Sequence, residues 1–508
     1  MQSDKKRLAK NTAFLYLRML LVMAISFFTV RLVLHTLGKI DYGVFNVVGG
    51  LSLSFIFFQS ALTNATQRFL NFGLGQNDQR RLGQIFNLSL EIFLGISAAV
   101  LVIGGIVGTW LVLRVLNIPE GQTGAACVVL FMTLLSLVFT LIASVYEAVL
   151  VAHENMKIYA WVGLFDALAK LAAAYAIVAV AAESRLAVYA ILLTFFTMLP
   201  KLVMVIYCRR KYSETAIKPY WDRHLFRELF AFSGWNIYGT GVWMLNQQGI
   251  NILLNVYFGP AVNTAQALAA QVTNTIKNFS NSFSTAVKPQ IIKSYAAGEM
   301  DEYRGLIYFS SRMTVYLLWA LVLPAWLRID YVLGIWLTEV PPYTASFVRW
   351  VLVFMLVDSL NTPLWTAIQA VGKLRRTILY GSTFFMLAFP LSWIALAMGG
   401  APVDVYPILI GVRIIYLVIV FRILSGYVHL SASHYLASVI GRILLVMVPT
   451  FLALCWANYW FPQNFLGLIA VCILSTLLIA AFVFSLGLTA DERRSLIKKV
   501  KKCLSKES

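Results

Sequence analysis

Residues 85–114 read IFNLSLEIFLGISAAVLVIGGIVGTWLVLR, with one charge, Glu91, before the closing Arg114. An α-helix needs about 20 mostly apolar residues to cross the hydrocarbon of a bilayer. This stretch is long enough, and too apolar to sit on the surface of a soluble domain. Working outward, similar stretches recur along the whole chain. They predict spans at 12–36, 42–71, 85–114, 124–150, 158–181, 184–208, 229–258, 261–293, 304–326, 345–371, 377–399, 404–427, 435–460 and 464–487. The expected fold class is therefore an all-α integral membrane protein of about fourteen transmembrane helices. The composition agrees: 60% of the 508 residues are hydrophobic and 12% are charged. A soluble domain carries about a quarter charged residues, so that class is excluded.

The net charge of +19 would suggest nucleic acid in a soluble protein. Here the charges sit in short segments between apolar runs, as in loops facing anionic headgroups, so no nucleic-acid partner is expected. Arg80, Arg81, Lys157, the cluster Arg209–Lys211 with Lys218, Arg223 and Arg227, then Lys293, Arg304, Lys373, Arg375 and Arg376 fall in alternate loops, and the tail adds more. The intervening loops hold few basic residues. The positive-inside rule then places both termini in the cytoplasm. The five cysteines show no metal-ligand spacing, and no metal site is expected. The stretch after Lys10 is too long for a signal-peptide core and has no small-residue cleavage site, so it is read as the first span. Thr489-Ala-Asp-Glu492 fits a capping box, and the basic tail beyond it reads as a surface helix.

The chain partly repeats itself. Gly75-x-x-Asp78-x-x-Arg81 follows span two, and Gly298-x-x-Asp301-x-x-Arg304 follows span eight. Leu37-Gly38 with Asp41 and Phe258-Gly259 with Asn263 precede the same two spans at a similar offset of about 220 residues. A parallel six-helix repeat around a central cavity is the expected arrangement. The divisions are an N-lobe over 1–210, an amphipathic cytoplasmic linker over 211–228, a C-lobe over 229–430, two extra spans over 431–487 and a basic tail helix over 488–508.

Span eight carries most of the functional signal. On a helical wheel, Asn263, Gln266, Gln271, Asn274, Lys277, Asn278, Asn281, Ser284, Thr285 and Lys288 fall within an arc of about 140°. Such a stripe cannot face lipid, where unsatisfied polar groups are costly. A short patch would be helix-packing glue; one that runs the length of a span predicts a wet cavity. Asn64, Gln67 and Arg68 repeat the pattern in span two, and Asn236, Gln247 and Asn251 in span seven. The cations on spans one, two and eight are Arg18, Arg31, Arg68, Lys277 and Lys288, with no acid on those helices' stripes, which suggests an anionic cargo. Arg18, Arg68 and Lys288 lie near the cytoplasmic face, and Arg31 near the outer one. Snorkelling to lipid phosphates is their plain alternative. Lys277 is near mid-span, where snorkelling is difficult. Asp166, Asp358, Glu91 and Glu147 are intramembrane acids, each either a site for a coupling proton or sodium ion or a structural hydrogen-bonding group. Asp166 and Lys170 are spaced to pair with each other, and Arg312, Arg349 and Arg413 are candidates either to partner Asp358 or to face the cavity.

The runs Asn11-Thr-x-x-Leu15-Tyr16-Leu17-Arg18, Thr29-x-Arg31-x-x-Leu34-x-x-Leu37-Gly38-x-x-Asp41-Tyr42-Gly43-x-x-Asn46, Ala65-Thr66-Gln67-Arg68-Phe69-Leu70 and Ala286-x-x-Pro289-Gln290-Ile291-x-Lys293-Ser294-Tyr295-Ala296 resemble the Wzx-type O-antigen and capsule repeat-unit flippases of the polysaccharide exporter group. The likeness covers roughly 11–380. It implies the fold of multidrug and toxic-compound extruders, with two six-helix lobes and alternating access. It also implies a cargo of undecaprenyl-pyrophosphate-linked oligosaccharide, moved across a bacterial inner membrane. Arg31, Arg68 and Lys277 would meet the anionic headgroup. A polysaccharide polymerase and a chain-length regulator are the implied partners. No cofactor is expected beyond a proton or sodium gradient, and the protein is expected not to be an enzyme. The rivals are an ion-coupled multidrug extruder, which would want acids in the cavity, and a membrane-embedded polymerase or glycosyltransferase, which would want a larger outer loop than 327–344.

Overall fold

The computed structural model describes residues 2–53, 55–76, 78–153, 155–337 and 339–494, without the side chains of 2–20, 278–286 and scattered helical positions that include Asn64 and Asn236. The helices are α1 Gln2–Leu53, α2 Ile56–Gly75, α3 Gln79–Arg114, α4 Thr123–Ala152, α5 Met156–Ala176, α6 Arg185–Lys211, α7 Arg223–Phe258, α8 Pro260–Ala296, α9 Met300–Leu327 and α10 Ile329–Trp336. They continue with α11 Thr344–Ser359, α12 Asn361–Val371, α13 Leu374–Thr377, α14 Thr383–Phe385, α15 Ala388–Ala397, α16 Val405–Val428, α17 Ala432–Tyr435, α18 Arg442–Trp460 and α19 Phe465–Phe482. Every expected span is present as helix. Spans one and two differ in form from the expectation: they share α1, which turns at Gly38, and span two is completed by α2. Span ten is α11 with α12. Spans eleven and thirteen contain π-helical turns at Ile378–Ser382 and Leu436–Gly441.

Among the described residues eleven helices are long and apolar enough to cross a membrane. The helices α2, α7 and α8 are not among them, because the Asn, Gln, Arg and Lys residues that form their polar stripes lower the apolar content.

The turns at Gly38 and Gly259 share one backbone conformation. Gly38 has φ 78° and ψ 170°, and Gly259 has φ 79° and ψ 179°. That region is almost closed to residues with a Cβ, so each of the two turns uses glycine to redirect the chain without a loop. Beyond Gly38, Asp41 accepts a hydrogen bond from Gln122 Nε2 at 2.7 Å, and Tyr42 is buried. A Cβ on Gly43 would stand 1.8 Å from the carbonyl oxygen of Pro260. The Leu-Gly-x-x-Asp-Tyr-Gly run is thus a packing device that locks the second half of α1 to the start of α8.

The chain forms two compact units. The first is Met1–Ala267 with Trp336–Thr344 and Phe389–Pro402; the second is Leu268–Ile335 with Ala345–Ala388 and Val403–Ser508. In the first, α3 sets its Gly104 and Gly108 face against Leu134 and Leu130 of α4, the small-residue contact expected where lipid gives no hydrophobic drive to association. Val102, Ile103, Ile106 and Trp110 point outward from the same helix and are exposed. The segment after α6 is strapped to the start of α3. Asn87 Nδ2 donates to the Ala216 carbonyl at 3.0 Å, and the amides of Lys218 and Tyr220 donate to Asn87 Oδ1 and Glu91 Oε1, both at 2.8 Å. Asp222 caps α7, and the backbone N–H groups of His224 and Leu225 hold its carboxyl below the usual carboxylate range.

In the second unit, buried Arg312 within α9 and buried Arg328 just past its end fasten the last helical pair. Arg312 donates to the Ser438 carbonyl at 2.9 Å and pairs with Glu492. Arg328 donates to Asn458 Oδ1 at 2.6 Å and to the carbonyls of Phe461 and Pro462 at 2.9 and 3.0 Å. Thr489 and Glu492 exchange the two hydrogen bonds of a capping box, at 2.7 and 3.2 Å. The remainder of the expected tail helix, from residue 495, lies outside the described residues.

Candidate functional site

In the second unit three charged side chains converge from three helices. Lys277 comes from α8, Asp358 from the last turn of α11, and Arg413 from α16. Lys277 Nζ lies 3.6 Å from Asp358 Oδ2. Arg413 Nη2 is in close contact with the other oxygen, Oδ1. The Arg413 guanidinium lies 4.3 Å from the ring centre of Tyr416 and 5.4 Å from that of Phe385, a cation–π setting suited to the flat, weakly hydrated guanidinium. Side-chain exposure falls from 35% at Lys277 to 16% at Asp358 and 8% at Arg413. The acid is thus held at its buried end by an arginine and met at its open end by a lysine. Two cations against one acid leave the group one positive charge in excess.

In the first unit a cavity of about 520 Å³ is walled by α1, α2, α4, α5 and α6. Glu147, Asp166, Lys170 and Lys201 line it, together with Thr133, Thr140, Tyr159 and other polar groups. Lys170 pairs with Asp166 at 2.7 Å across one helical turn. Lys201 donates to the Thr140 hydroxyl. Here two acids stand against two lysines.

The candidates read from the sequence fall in several places. Lys277 and Asp358, which the sequence suggests for separate roles as cargo cation and coupling acid, stand together. Asp166 and Glu147 share the cavity of the first unit. Glu91 does not line that cavity; it accepts the Tyr220 amide. Arg31 and Arg68 are exposed side chains of the first unit, and Lys288 and Asn274 of the second. Gln67 and Gln247 are half-buried. Asn251 accepts two hydrogen bonds from Asn263 Nδ2, to its carbonyl at 2.8 Å and to Oδ1 at 2.7 Å. Asn263 Oδ1 in turn accepts from Asn255 at 2.9 Å. This end of the polar stripe therefore serves helix packing. The side chains of Arg18, Asn64, Asn236, Asn278 and Asn281 lie outside the described residues. Arg349 pairs with Asp330 at 2.5 Å and Arg312 with Glu492, so neither is the partner of Asp358.

Lys201 was missed in the sequence. Its only signal was a lysine inside an apolar span beside Pro200, which resembles a residue near a helix end. Arg413 was visible as an intramembrane arginine, but its pairing with Asp358 depends on how α11 and α16 pack.

No protein-family model and no curated protein sequence matches the chain. Solved structures do. A lipid II flippase, MurJ, in an inward closed conformation superposes with a TM-score of 0.68 at 11% identity, covering 94% of this chain and 99% of that one. An inward-facing multidrug resistance MATE family transporter of the MOP superfamily gives 0.62 at 9%, covering 81% and 94%. A eukaryotic MATE transporter gives 0.59 at 14%, covering 84% and 96%. The chain is a multi-pass, all-helical membrane protein with the fold shared by MurJ and the MATE transporters.

Proposed function

We propose that this chain is a flippase that carries undecaprenyl-pyrophosphate-linked oligosaccharide repeat units from the cytoplasmic to the periplasmic leaflet of a bacterial inner membrane. It is a transporter and not an enzyme, and it serves O-antigen, capsule or exopolysaccharide assembly. The observation that carries this reading is the excess positive charge of the Lys277–Asp358–Arg413 group on helices that cross the membrane. A cation held at that depth is costly unless something anionic uses it. The likeness to a lipid II flippase supports a lipid-linked cargo, and the Wzx-like motifs support an oligosaccharide one. The lipid tail stays in the bilayer while the polar head crosses along α2, α7 and α8. Their Asn and Gln groups replace water around the sugars, and Lys277 meets the pyrophosphate. Rocking of two lobes between inward- and outward-open states, driven by a proton or sodium gradient, resets the site. Both termini are cytoplasmic in this reading, and a polymerase and chain-length regulator receive the product.

The test is complementation of a flippase-deficient strain that makes the cognate precursor, with wild type, Lys277→Ala and Lys277→Arg at matched membrane levels. The expected result is restored surface polysaccharide with wild type, loss of at least about tenfold with precursor build-up in Lys277→Ala, and partial rescue by Lys277→Arg. Failure of the inserted wild type would overturn the flippase reading. Drug efflux, which the MATE likeness equally supports, would then be measured.

A further inference from the structure

We propose that Lys277 is an exchangeable partner of Asp358, surrendered to the cargo anion on binding, and that Arg413 is the positioning residue that makes the exchange possible. The proposal rests on the anionic-cargo reading for the identity of the incoming ligand. The exchange itself stands on the geometry of the three side chains.

The two cations hold Asp358 unequally. Arg413 is nearly buried, in close contact with Oδ1, and stacked against Tyr416 and Phe385. Its guanidinium is planar and leaves such a setting with difficulty. Lys277 stands farther off, at 3.6 Å from Oδ2, and is about a third exposed. Its ammonium rides on a flexible four-carbon stem and can turn to a new partner. One carboxylate carries one negative charge, and Arg413 answers it at short range. The pull left for Lys277 is the weaker remainder.

Each member therefore has a separate task. Asp358 keeps Lys277 ordered and its charge tolerable while no cargo is present. Arg413 keeps Asp358 from holding Lys277 too tightly. When a phosphate oxygen comes within reach, Lys277 changes partner, and the Asp358–Arg413 pair that remains is neutral, so no buried charge is stranded. A site with Lys277 and Asp358 alone would form a closed, neutral pair, and cargo would have to break it in a low-dielectric setting. A site with the two cations alone would leave buried Arg413 without its carboxylate. The ligand this arrangement selects is an anion with accessible oxygens. A cationic drug meets an acid already occupied on both oxygens.

The test uses full-length protein in nanodiscs, with wild type, Lys277→Ala, Arg413→Gln, Arg413→Lys, Asp358→Asn and the double variant Arg413→Gln/Asp358→Asn. Two quantities are read: the acylation rate of the Lys277 amine, by mass spectrometry without ligand, and the affinity for undecaprenyl pyrophosphate, with undecaprenol as the uncharged control. Thermal melting confirms that each variant is folded. Asp358→Asn should speed acylation of Lys277 severalfold. Arg413→Gln should slow it severalfold and weaken lipid-pyrophosphate binding by about tenfold. Arg413→Lys should fall between Arg413→Gln and wild type. The double variant, which restores the charge count, should recover both quantities to within about threefold of wild type. A folded double variant as weak as Arg413→Gln, or acylation unchanged in both single variants, overturns the proposal. Acylation that follows the pattern while no form binds the lipid pyrophosphate leaves the exchange standing and removes pyrophosphate as the cargo.

Discussion

The two units both place charge at membrane depth, and they do so in opposite ways. The first gathers Glu147, Asp166, Lys170 and Lys201 around a cavity of about 520 Å³, two acids and two lysines. The second gathers Lys277, Asp358 and Arg413, one acid and two cations. The first group is balanced and carries its own compensation. The second holds one more cation than acid. Counting intramembrane charges therefore says little about cargo; their grouping says much more. A balanced cluster suits internal stability or the passage of a small ion, whereas an unbalanced one suits a ligand of opposite sign.

The largest effect should come from Arg413→Ala. It takes the buried, close partner from a carboxylate that is 16% exposed, leaving it only the more distant Lys277, and removes the guanidinium stacked on Tyr416. Breaking a buried pair from one side costs about 3–5 kcal/mol, so melting in detergent should drop well below wild type. Lys277→Ala should cost less than about 1 kcal/mol, because the pair is longer and partly solvated. A loss of stability in Lys277→Ala as large as in Arg413→Ala would erase the distinction between the two cations.

Lys201→Met sharpens the contrast from the other unit. Lys201 donates to the Thr140 hydroxyl, and no described carboxylate is in ion-pair contact with it. Thr140 also donates to the Ser136 carbonyl at 2.7 Å, so its own proton stays satisfied without the lysine. Replacing this half-buried, cavity-lining ammonium with an apolar side chain of similar length should leave stability within about 1 kcal/mol of wild type. Melting in the same detergent checks this. A drop as large as that of Arg413→Ala would show that the balance in the first unit depends on Lys201 far more than its contacts suggest.

The membrane fold was legible because the hydrophobic run length is a direct physical requirement of the bilayer. Residues 85–114 needed no partner to be read as a span, and the glycine turns at Gly38 and Gly259 showed as matching sequence because each answers the same backbone demand. The polar stripe of α8 was legible as a stripe, yet its two ends have different roles that the wheel cannot separate. Asn263 is fully buried and bonded to Asn251 and Asn255, whereas Lys277 faces Asp358. Periodicity reports which residues share a face of one helix. It does not report which helix packs against that face, and both charge groups are assembled from three helices. The strap after α6 was illegible for the same reason: its partners Asn87 and Glu91 lie more than a hundred residues earlier.

Glu91→Gln tests the smallest of these differences. By sequence Glu91 is an acid inside an apolar span and therefore a candidate for ion coupling. In the structure its Oε1 accepts the Tyr220 amide at 2.8 Å, one turn beyond Asn87, which accepts the Lys218 amide. Glutamine keeps a carbonyl oxygen in the same place and loses only the charge assistance, a cost of about 0.5–1 kcal/mol. As a strap anchor, Glu91→Gln should leave transport and its dependence on pH within about twofold of wild type. As a coupling acid it should abolish the response to the gradient, because an amide cannot bind and release the proton. Transport measured across pH with an imposed gradient separates the two. An unchanged profile leaves Glu147 and Asp166, in the balanced cavity, as the acids of the first unit available to a coupling ion.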